Sequence, residues 1–165
     1  IREAMLKDIM EISILEKQIE KENAVTVNTL TERLLMFPQG FVVAGINGSL
    51  RGYAESCRWD YPLTKLERFE QIKSFPENHK AEGKNLYVIF IGVDERYRRH
   101  GIGSNMIKHL ESYSKCNGVR EMQLVAGEGL VPFYEKLGFR FDRTLPQFLP
   151  YSAGSLMRKK IAQKD

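Results

Sequence analysis

The sequence predicts an α/β domain, a mixed α+β sheet with helices packed on it. Three observations support this class. The apolar stretch 86–93 is rich in β-branched and aromatic residues, as a buried strand requires. Apolar residues then recur at helical spacing from Met106 to Tyr113. Earlier in the chain, Asn47-Gly48 separates two apolar runs, which is typical of a β-hairpin.

Two helices are predicted before that hairpin. Asp8 is the expected N-cap of the first helix, in which apolar residues spaced by three and four continue to about Glu20. The pattern Thr29-x-x-Glu32 matches a capping box and predicts the start of the second helix. The segment Pro38-Gln39-Gly40 is expected to end it.

The remaining elements alternate between strand and helix. A helix is expected from near Gly103 to about Lys115, and a short one begins at Pro132 and ends at Gly138. The expected strands are 1–4, 41–46, 50–57, 86–93, 122–126, 139–143 and 155–161. This order is compatible with one domain over residues 1–165.

Composition narrows the class of protein. Apolar residues make up 42% and charged residues 28% of the chain, as in ordinary globular proteins. The net charge of +4 is interspersed rather than concentrated on a broad basic face, so we expect no nucleic-acid binding. No apolar run reaches the roughly 18 residues that cross a bilayer. With no visible signal peptide and only two cysteines, Cys57 and Cys116, the sequence suggests a cytoplasmic protein.

The turn at residues 94–104 joins the central strand to the following helix and carries the strongest chemical signal. The first N–H groups of a helix have no internal partner and lie at the positive end of its dipole. Gly101 and Gly103 lack a Cβ, so a phosphate can approach these groups closely. Basic side chains are added by Arg98, Arg99 and His100. The turn therefore predicts a site for a phosphate-bearing ligand.

Two common phosphate-binding motifs are absent. A Walker loop needs Gly-x-x-x-x-Gly-Lys-Ser/Thr, and the chain contains no such string. A dinucleotide fingerprint needs a third glycine where this chain has Met106. What remains is Arg-x-x-Gly-x-Gly at Arg98, Gly101 and Gly103, followed by Ser104.

That pattern resembles the acetyl-coenzyme A pyrophosphate loop of the GCN5-related N-acetyltransferase (GNAT) superfamily. A second string, Phe133 to Phe139, resembles the superfamily's Phe-Tyr-x-x-x-Gly-Phe signature, and the two motifs stand in the family's order and spacing. The resemblance implies the GNAT acyltransferase fold, in which the central strand is splayed from its parallel neighbour. It also implies an acetyl-coenzyme A-dependent N-acetyltransferase in which the amine attacks the thioester directly.

The resemblance also implies roles for individual residues. Tyr134 would protonate the leaving thiolate, the alternative being a packed aromatic or a hydrogen bond to the sulfur. No cluster of His, Cys, Asp or Glu has the spacing of a metal site, so no metal is expected. The cofactor-binding residues would be Ile91, Gly92, Val93, Arg98, Arg99, His100, Gly101, Ile102, Gly103 and Ser104.

Within the superfamily, the chain is most similar to the arylalkylamine N-acetyltransferase branch. The similarity lies in residues 128–139, in Trp59-Asp60 and in the long connection that follows. That branch has two histidines on the central strand that relay the amine proton, where this chain has Tyr87 and Ile89. The general base is therefore open, with Tyr87, Asp60 and Glu128 as candidates.

The acceptor is expected to be a small-molecule amine, because residues 58–84 form a long apolar connection that we interpret as a lid over its pocket. A short helix is expected over 63–73. The alternative is a packed insertion without ligand contact. A non-catalytic acyl-coenzyme A-binding or sensing module is the competing function, and the oligomeric state is open, with a homodimer among the options.

Overall fold

The fold is that of a computed structural model, which describes residues 1–60, 79–127, 129–145 and 154–163. The chain divides into two compact units: residues 1–56 with 90–113, and residues 57–89 with 114–165. The single domain expected from the sequence stays a prediction. The helix expected over 63–73 lies outside the described residues.

The order of strands and helices is the one that the sequence predicts, and the mixed α/β class is confirmed. The elements are β1 (Arg2–Glu3), α1 (Ile9–Glu20), α2 (Val27–Met36), β2 (Phe41–Ile46), β3 (Ser49–Trp59), β4 (Asn85–Val93), α3 (Ile102–Cys116), β5 (Glu121–Ala126), α4 (Val131–Lys136), β6 (Arg140–Leu145) and β7 (Gly154–Lys160). A 3₁₀ turn at Glu95–Tyr97 lies between β4 and α3.

The first unit contains four strands in the order β1, β2, β3, β4, and the first three pair antiparallel. The β2–β3 hairpin turns at Asn47 and Gly48, which have φ angles of 50° and 81°. Both angles lie in the left-handed region that this type of hairpin turn requires, so the predicted hairpin is confirmed. Apolar residues of α1, α2, β2 and β3 form the core of this unit, including Ile12, Leu30 and Phe41.

Helix α1 begins directly after its predicted N-cap, Asp8, whereas the predicted start of α2 is corrected. The Asp8 carboxylate makes no capping bond to α1; it accepts from the Met5 N–H at 2.8 Å and from Arg2 at 2.6 Å, and so fixes the preceding turn. Helix α2 begins three residues earlier than predicted, because the Thr26 hydroxyl accepts from the Thr29 N–H at 3.1 Å. Thr26 is therefore the N-cap and Thr29 lies inside the helix.

The second unit contains residues 57–59 of β3 and 85–89 of β4, followed in sheet order by β5, β7 and β6. Strand β4 pairs with β5 in parallel only from Asn85 to Val88, although β4 continues to Val93. Strand β7 pairs antiparallel with both β5 and β6. The parallel pairing therefore ends halfway along β4, as expected for a central strand that splays from its neighbour.

Candidate cofactor-binding and catalytic site

Asp94 fixes the turn that follows β4 in the first unit. Its carboxylate accepts from the Arg96 N–H at 3.1 Å and from the Arg96 guanidinium at 2.9 Å. These hydrogen bonds lower the pKa of Asp94, so the group is ionised at neutral pH. The Asp94 N–H donates to the Arg51 carbonyl at 2.8 Å, and the Arg51 guanidinium lies 4.6 Å from the centre of the Tyr97 ring. The turn is thereby attached to β3.

Two residues of this turn have a left-handed backbone: Arg99 with φ of 65° and Gly101 with φ of 79°. A Cβ added at Gly101 would meet no atom within 4 Å, so the space beside it is open. Arg99 carries a side chain in this conformation, which costs about 1–2 kcal/mol. The sequence shows Gly101 and Gly103 directly, whereas no sequence pattern indicates that Arg99 has a left-handed backbone.

The N–H groups at the start of α3 are available to a ligand. The first bond of the helix runs from the Asn105 N–H to the Gly101 carbonyl, at 2.9 Å. Within the described ranges, the N–H groups of Ile102, Gly103 and Ser104 have no hydrogen-bond acceptor. Gly101 is exposed, and Gly103 and Ser104 are partly exposed. Such a group of N–H donors at the positive end of a helix is suited to an anion.

The basic side chains of the turn differ in how they are held. Arg98 Nε donates to the Val93 carbonyl at 3.2 Å, and His100 Nδ1 lies 2.8 Å from the Arg98 carbonyl oxygen. No ion pair or hydrogen bond engages the Arg99 side chain among the residues that the structure describes. All three side chains are exposed. The structure thus brings the predicted phosphate-binding residues together around one turn.

Residues 91–93 form the last part of β4, beyond the end of its pairing with β5. Gly92 is buried, and a Cβ added there would lie 2.6 Å from the Phe90 ring and 2.7 Å from Ile19. No larger residue fits at this position without displacing those side chains. Ile91 and Val93 are partly buried. The side chains of this segment are apolar, so a polar contact to a ligand there would have to come from the main chain.

A cavity of about 380 Å³ adjoins the turn within the first unit. One wall is the end of α1, and the other is the segment between β4 and α3. The lining residues are Gln18, Ile19, Asp94, Glu95, Arg96 and Arg98. This volume lies in the range of small-molecule pockets, roughly 300–1,000 Å³. The lining presents charges of both signs.

Tyr134 lies in the second unit, on α4, and is 4% exposed. Its ring makes edge-on contacts with Phe133 and Phe139, with centroid distances of 4.9 and 5.9 Å. Burial raises the pKa of Tyr134 to about 12, so the hydroxyl keeps its proton at neutral pH. A protonated hydroxyl is what an acid or hydrogen-bond donor requires, and that role stays a prediction.

Tyr87 is unsuited to act as a base. It lies on the part of β4 that belongs to the second unit, is 2% exposed, and stacks on Trp59 with a centroid distance of 5.7 Å. Burial raises the pKa of Tyr87 well above its usual range, and the nearby Cys57 adds to the shift. Its hydroxyl therefore has no basic form near neutral pH. Asp60 is exposed after β3, and Glu128 lies outside the described residues.

Sequence reasoning missed the contacts that hold the turn. Asp94 with the N–H of Arg96 forms a local turn that the Asp-x-Arg sequence permits, so a signal for it existed. Arg51 lies 43 residues away from Asp94, and no local pattern indicates that contact.

In the described part of the chain, no group of three His, Cys, Asp or Glu side chains could hold a metal ion. None of the helices there is both long and apolar enough to cross a membrane.

Comparison with curated proteins finds acetyltransferases of several kinds. A serotonin N-acetyltransferase of Mesocricetus auratus is 30% identical over 105 residues, which are 63% of this chain and 44% of that protein. An N-alpha-acetyltransferase of Sulfurisphaera tokodaii is 26% identical over 153 residues, 90% of this chain and 84% of that protein. The chain spans about two fifths of the first curated relatives that it matches, 38% and 44% of their lengths. These relatives do not single out the arylalkylamine branch.

Solved structures share the fold. The loading GNATL domain of CurA from Lyngbya majuscula has a TM-score of 0.84 at 17% identity, and the match covers 97% of this chain and 96% of that one. Residues 6–139 match the model of the acetyltransferase (GNAT) family. The match includes the turn at 94–104 and residues 133–139, the two segments on which the resemblance was based. The chain therefore belongs to the acetyltransferase (GNAT) family.

Proposed function

We propose that this protein transfers an acetyl group from acetyl-coenzyme A to a primary amine by direct attack on the thioester. The observation that carries this proposal is the set of free N–H groups at Ile102, Gly103 and Ser104, beside the open space at Gly101. They would hold the pyrophosphate, with Arg98, Arg99 and His100 adding favourable charge. The main chain of residues 91–93 would pair with the amides of the pantetheine arm.

The chemistry requires three proton transfers, two from the nitrogen and one to the sulfur. An alkyl amine has a pKa near 10, so it must lose a proton before its nitrogen can attack the carbonyl carbon. As the C–N bond forms, a backbone N–H of β4 would stabilise the negative oxygen. The bonded nitrogen then gives up a second proton, the C–S bond breaks and the electron pair leaves with the sulfur, which takes up a proton. With Tyr87 unsuited to be the base, we expect water to carry away the amine proton.

Tyr134 is the proposed donor to the sulfur. Its pKa of about 12 lies above the value of about 8.5 typical of a thiol, so complete transfer to a free thiolate is uphill. Its contribution is therefore greatest while the C–S bond is breaking, when a hydrogen bond stabilises the developing charge. The alternative, in which Tyr134 only packs, predicts no effect of removing the hydroxyl.

The proposed acceptor is a small molecule, because residues 58–84 are long and apolar enough to enclose a pocket. Protein N-termini are the alternative acceptor class, which the N-alpha-acetyltransferase among the relatives supports.

A non-catalytic acyl-coenzyme A sensor is the alternative function, and the absence of histidine at positions 87 and 89 favours it. The cytoplasmic location and the homodimer stay predictions from the sequence.

Thiol release from acetyl-coenzyme A, measured against arylalkylamines, polyamines and peptides with free N-termini, tests the function. We expect turnover with at least one small amine. Tyr134→Phe should lower kcat about 100-fold, as loss of an acid group does, while the affinity for coenzyme A stays unchanged. Phe141→Leu, at an exposed position of β6, is the control. Binding without turnover on any acceptor would favour the sensor, and unchanged kcat in Tyr134→Phe would remove its role.

A further inference from the structure

The first unit contains four ionisable side chains that are almost completely buried. Glu16 of α1, Arg33 of α2, and Tyr53 and Glu55 of β3 are 2%, 7%, 0% and 3% exposed. We call these four residues the glutamate cluster. None of them belongs to the turn or to the proposed catalytic residues, and their burial is costly unless each charge is compensated.

Hydrogen bonds within the glutamate cluster compensate its charges incompletely. Arg33 Nη1 lies 2.5 Å from Glu55 Oε1. The Tyr53 hydroxyl donates to Glu16 Oε2, and the Val25 N–H donates to Glu16 Oε1 at 3.0 Å. The second oxygen of Glu55, Oε2, is buried and has no hydrogen-bond partner among the described residues. One carboxyl oxygen therefore lacks a donor.

The charge balance also favours an additional proton. Among the described residues of the cluster, the Glu16 and Glu55 carboxylates, when ionised, place two negative charges near the Arg33 guanidinium, and all three side chains are buried. Glu20, one turn beyond Glu16 on α1, is partly buried and adds negative charge. A neutral carboxyl oxygen without a partner costs less free energy than a charged one. Protonating Glu55 would reduce the excess negative charge by one and would remove the unpaired charged oxygen.

Packing connects the glutamate cluster to the end of β4. The Tyr53 ring stacks on Phe41 and on Phe90, with centroid distances of 5.8 and 4.9 Å. Phe90, with Ile19, fills the space directly beside Gly92. Tyr53 and Phe90 therefore connect the glutamate cluster by direct packing to the segment proposed to hold the pantetheine arm.

We propose that the buried Glu55 carboxyl of the glutamate cluster takes up a proton and that the cluster positions the end of β4 through Tyr53 and Phe90, so that turnover depends on the charge of Glu55. Glu55 is a positioning residue in this proposal. The stability part is independent of the function, whereas the turnover part rests on the proposed acetyl transfer.

The direction of the effect follows from the surroundings of Glu55. Burial raises its pKa to about 7; Glu16 adds to the rise, and Arg33 opposes it. The folded protein therefore binds one more proton than the unfolded chain between about pH 4.5 and 7. The contribution of Glu55 to stability is full below the lower value and is lost as the pH rises through the upper one.

Urea unfolding of the wild type and of Glu55→Gln at pH values from 5 to 8.5 tests the stability part. The amide keeps an acceptor for Arg33 and cannot ionise. We expect the ratio of the unfolding equilibrium constants, wild type over variant, to rise about tenfold per pH unit between pH 5 and 6.5 and to level off above pH 7.5. A constant ratio, or one that falls as the pH rises, would overturn the proposal, because Arg33 would then keep Glu55 ionised throughout.

Two further measurements keep this test decisive. Glu121→Gln removes a more exposed carboxylate paired with Arg158 at 2.9 Å, and its ratio to wild type should vary less than threefold over the same range. If Glu55→Gln does not fold, carboxyl-labelled glutamate in the wild type serves instead. One carboxyl resonance should titrate near pH 7, and titration of every one below pH 5.5 would contradict the proposal.

The turnover part is read from kcat against pH. The two proteins should agree within twofold at pH 6, and at pH 8 the wild type should fall at least threefold below Glu55→Gln, with equal KM for acetyl-coenzyme A. Parallel pH profiles would overturn the positioning role. If neither protein transfers acetyl groups, the proposed function fails while the unfolding measurement still decides the protonation.

Discussion

The turn after β4 and the glutamate cluster lie in the same unit and handle charge in opposite ways. The turn leaves the N–H groups of Ile102, Gly103 and Ser104 without acceptors among the described residues, next to the exposed Gly101. The cluster contains Glu16 and Glu55, both buried, and Glu55 Oε2 has no hydrogen-bond partner among the described residues. Unsatisfied donors near the surface cost little because water solvates them, whereas an unsatisfied buried acceptor is costly. The first arrangement suits binding and the second suits protonation.

The largest expected effect concerns the turn. Gly103→Val places a branched side chain among the free N–H groups and should weaken acetyl-coenzyme A binding at least ~100-fold, since a helix N-terminus binds an anion only at close approach. Isothermal titration measures this. The control is Gly45→Val, on an exposed part of β2 where a Cβ meets ordinary contacts at 3.7 Å or more. Wild-type affinity in Gly103→Val would place the pyrophosphate elsewhere.

An intermediate effect is expected when the support of the turn is weakened. Asp94→Asn keeps an oxygen for the Arg96 N–H but removes the charge that holds Arg51 and Arg96. We expect about tenfold weaker binding, the equivalent of one strong hydrogen bond. The pKa of Asp94 is lowered, so its contribution is present above about pH 4 and is lost below it. Equal affinity at pH 7 would show that the turn keeps its shape without this charge.

The smallest effect concerns the strained backbone. Arg99→Gly relieves the left-handed conformation at a small entropic cost, and should raise the free energy of unfolding by about 0.5 kcal/mol. The matched control is Arg98→Gly, where φ is −63° and glycine relieves no strain. That variant should be destabilised by a similar amount. Chemical denaturation compares the two, and a loss of stability in both would mean that the Arg99 conformation carries no strain.

The sequence predicts the turn far better than the glutamate cluster, and the reason is distance along the chain. Gly101, Gly103 and the apolar residues on either side lie within one short segment, so their pattern is visible. Arg33 and Glu55 are 22 residues apart, and Glu16 and Tyr53 are 37 apart. No local periodicity brings these side chains together; only the packing of α1 and α2 against β3 does.

The helix starts illustrate a second limit. Thr26 and Thr29 are both good N-cap residues, and the Glu32 three positions after Thr29 favoured the wrong one. Asp8 has the correct residue type for a cap, yet its carboxylate is taken by Arg2 and Met5. The hairpin at Asn47-Gly48 was predictable because its backbone angles are ones that few other residues adopt. Competition among equivalent partners, rather than missing signal, explains these differences.

The early end of pairing along β4 has a consequence for the protein before it meets a ligand. Among the described residues, β4 continues to Val93 although its parallel pairing with β5 ends at Val88, and strand edges without a pairing partner are templates for another chain. On the proposed function, the pantetheine arm is the natural cover for this edge. Preparations depleted of coenzyme A should therefore aggregate faster on storage than preparations with coenzyme A bound. The cofactor would then protect the protein from aggregation in addition to serving as a substrate.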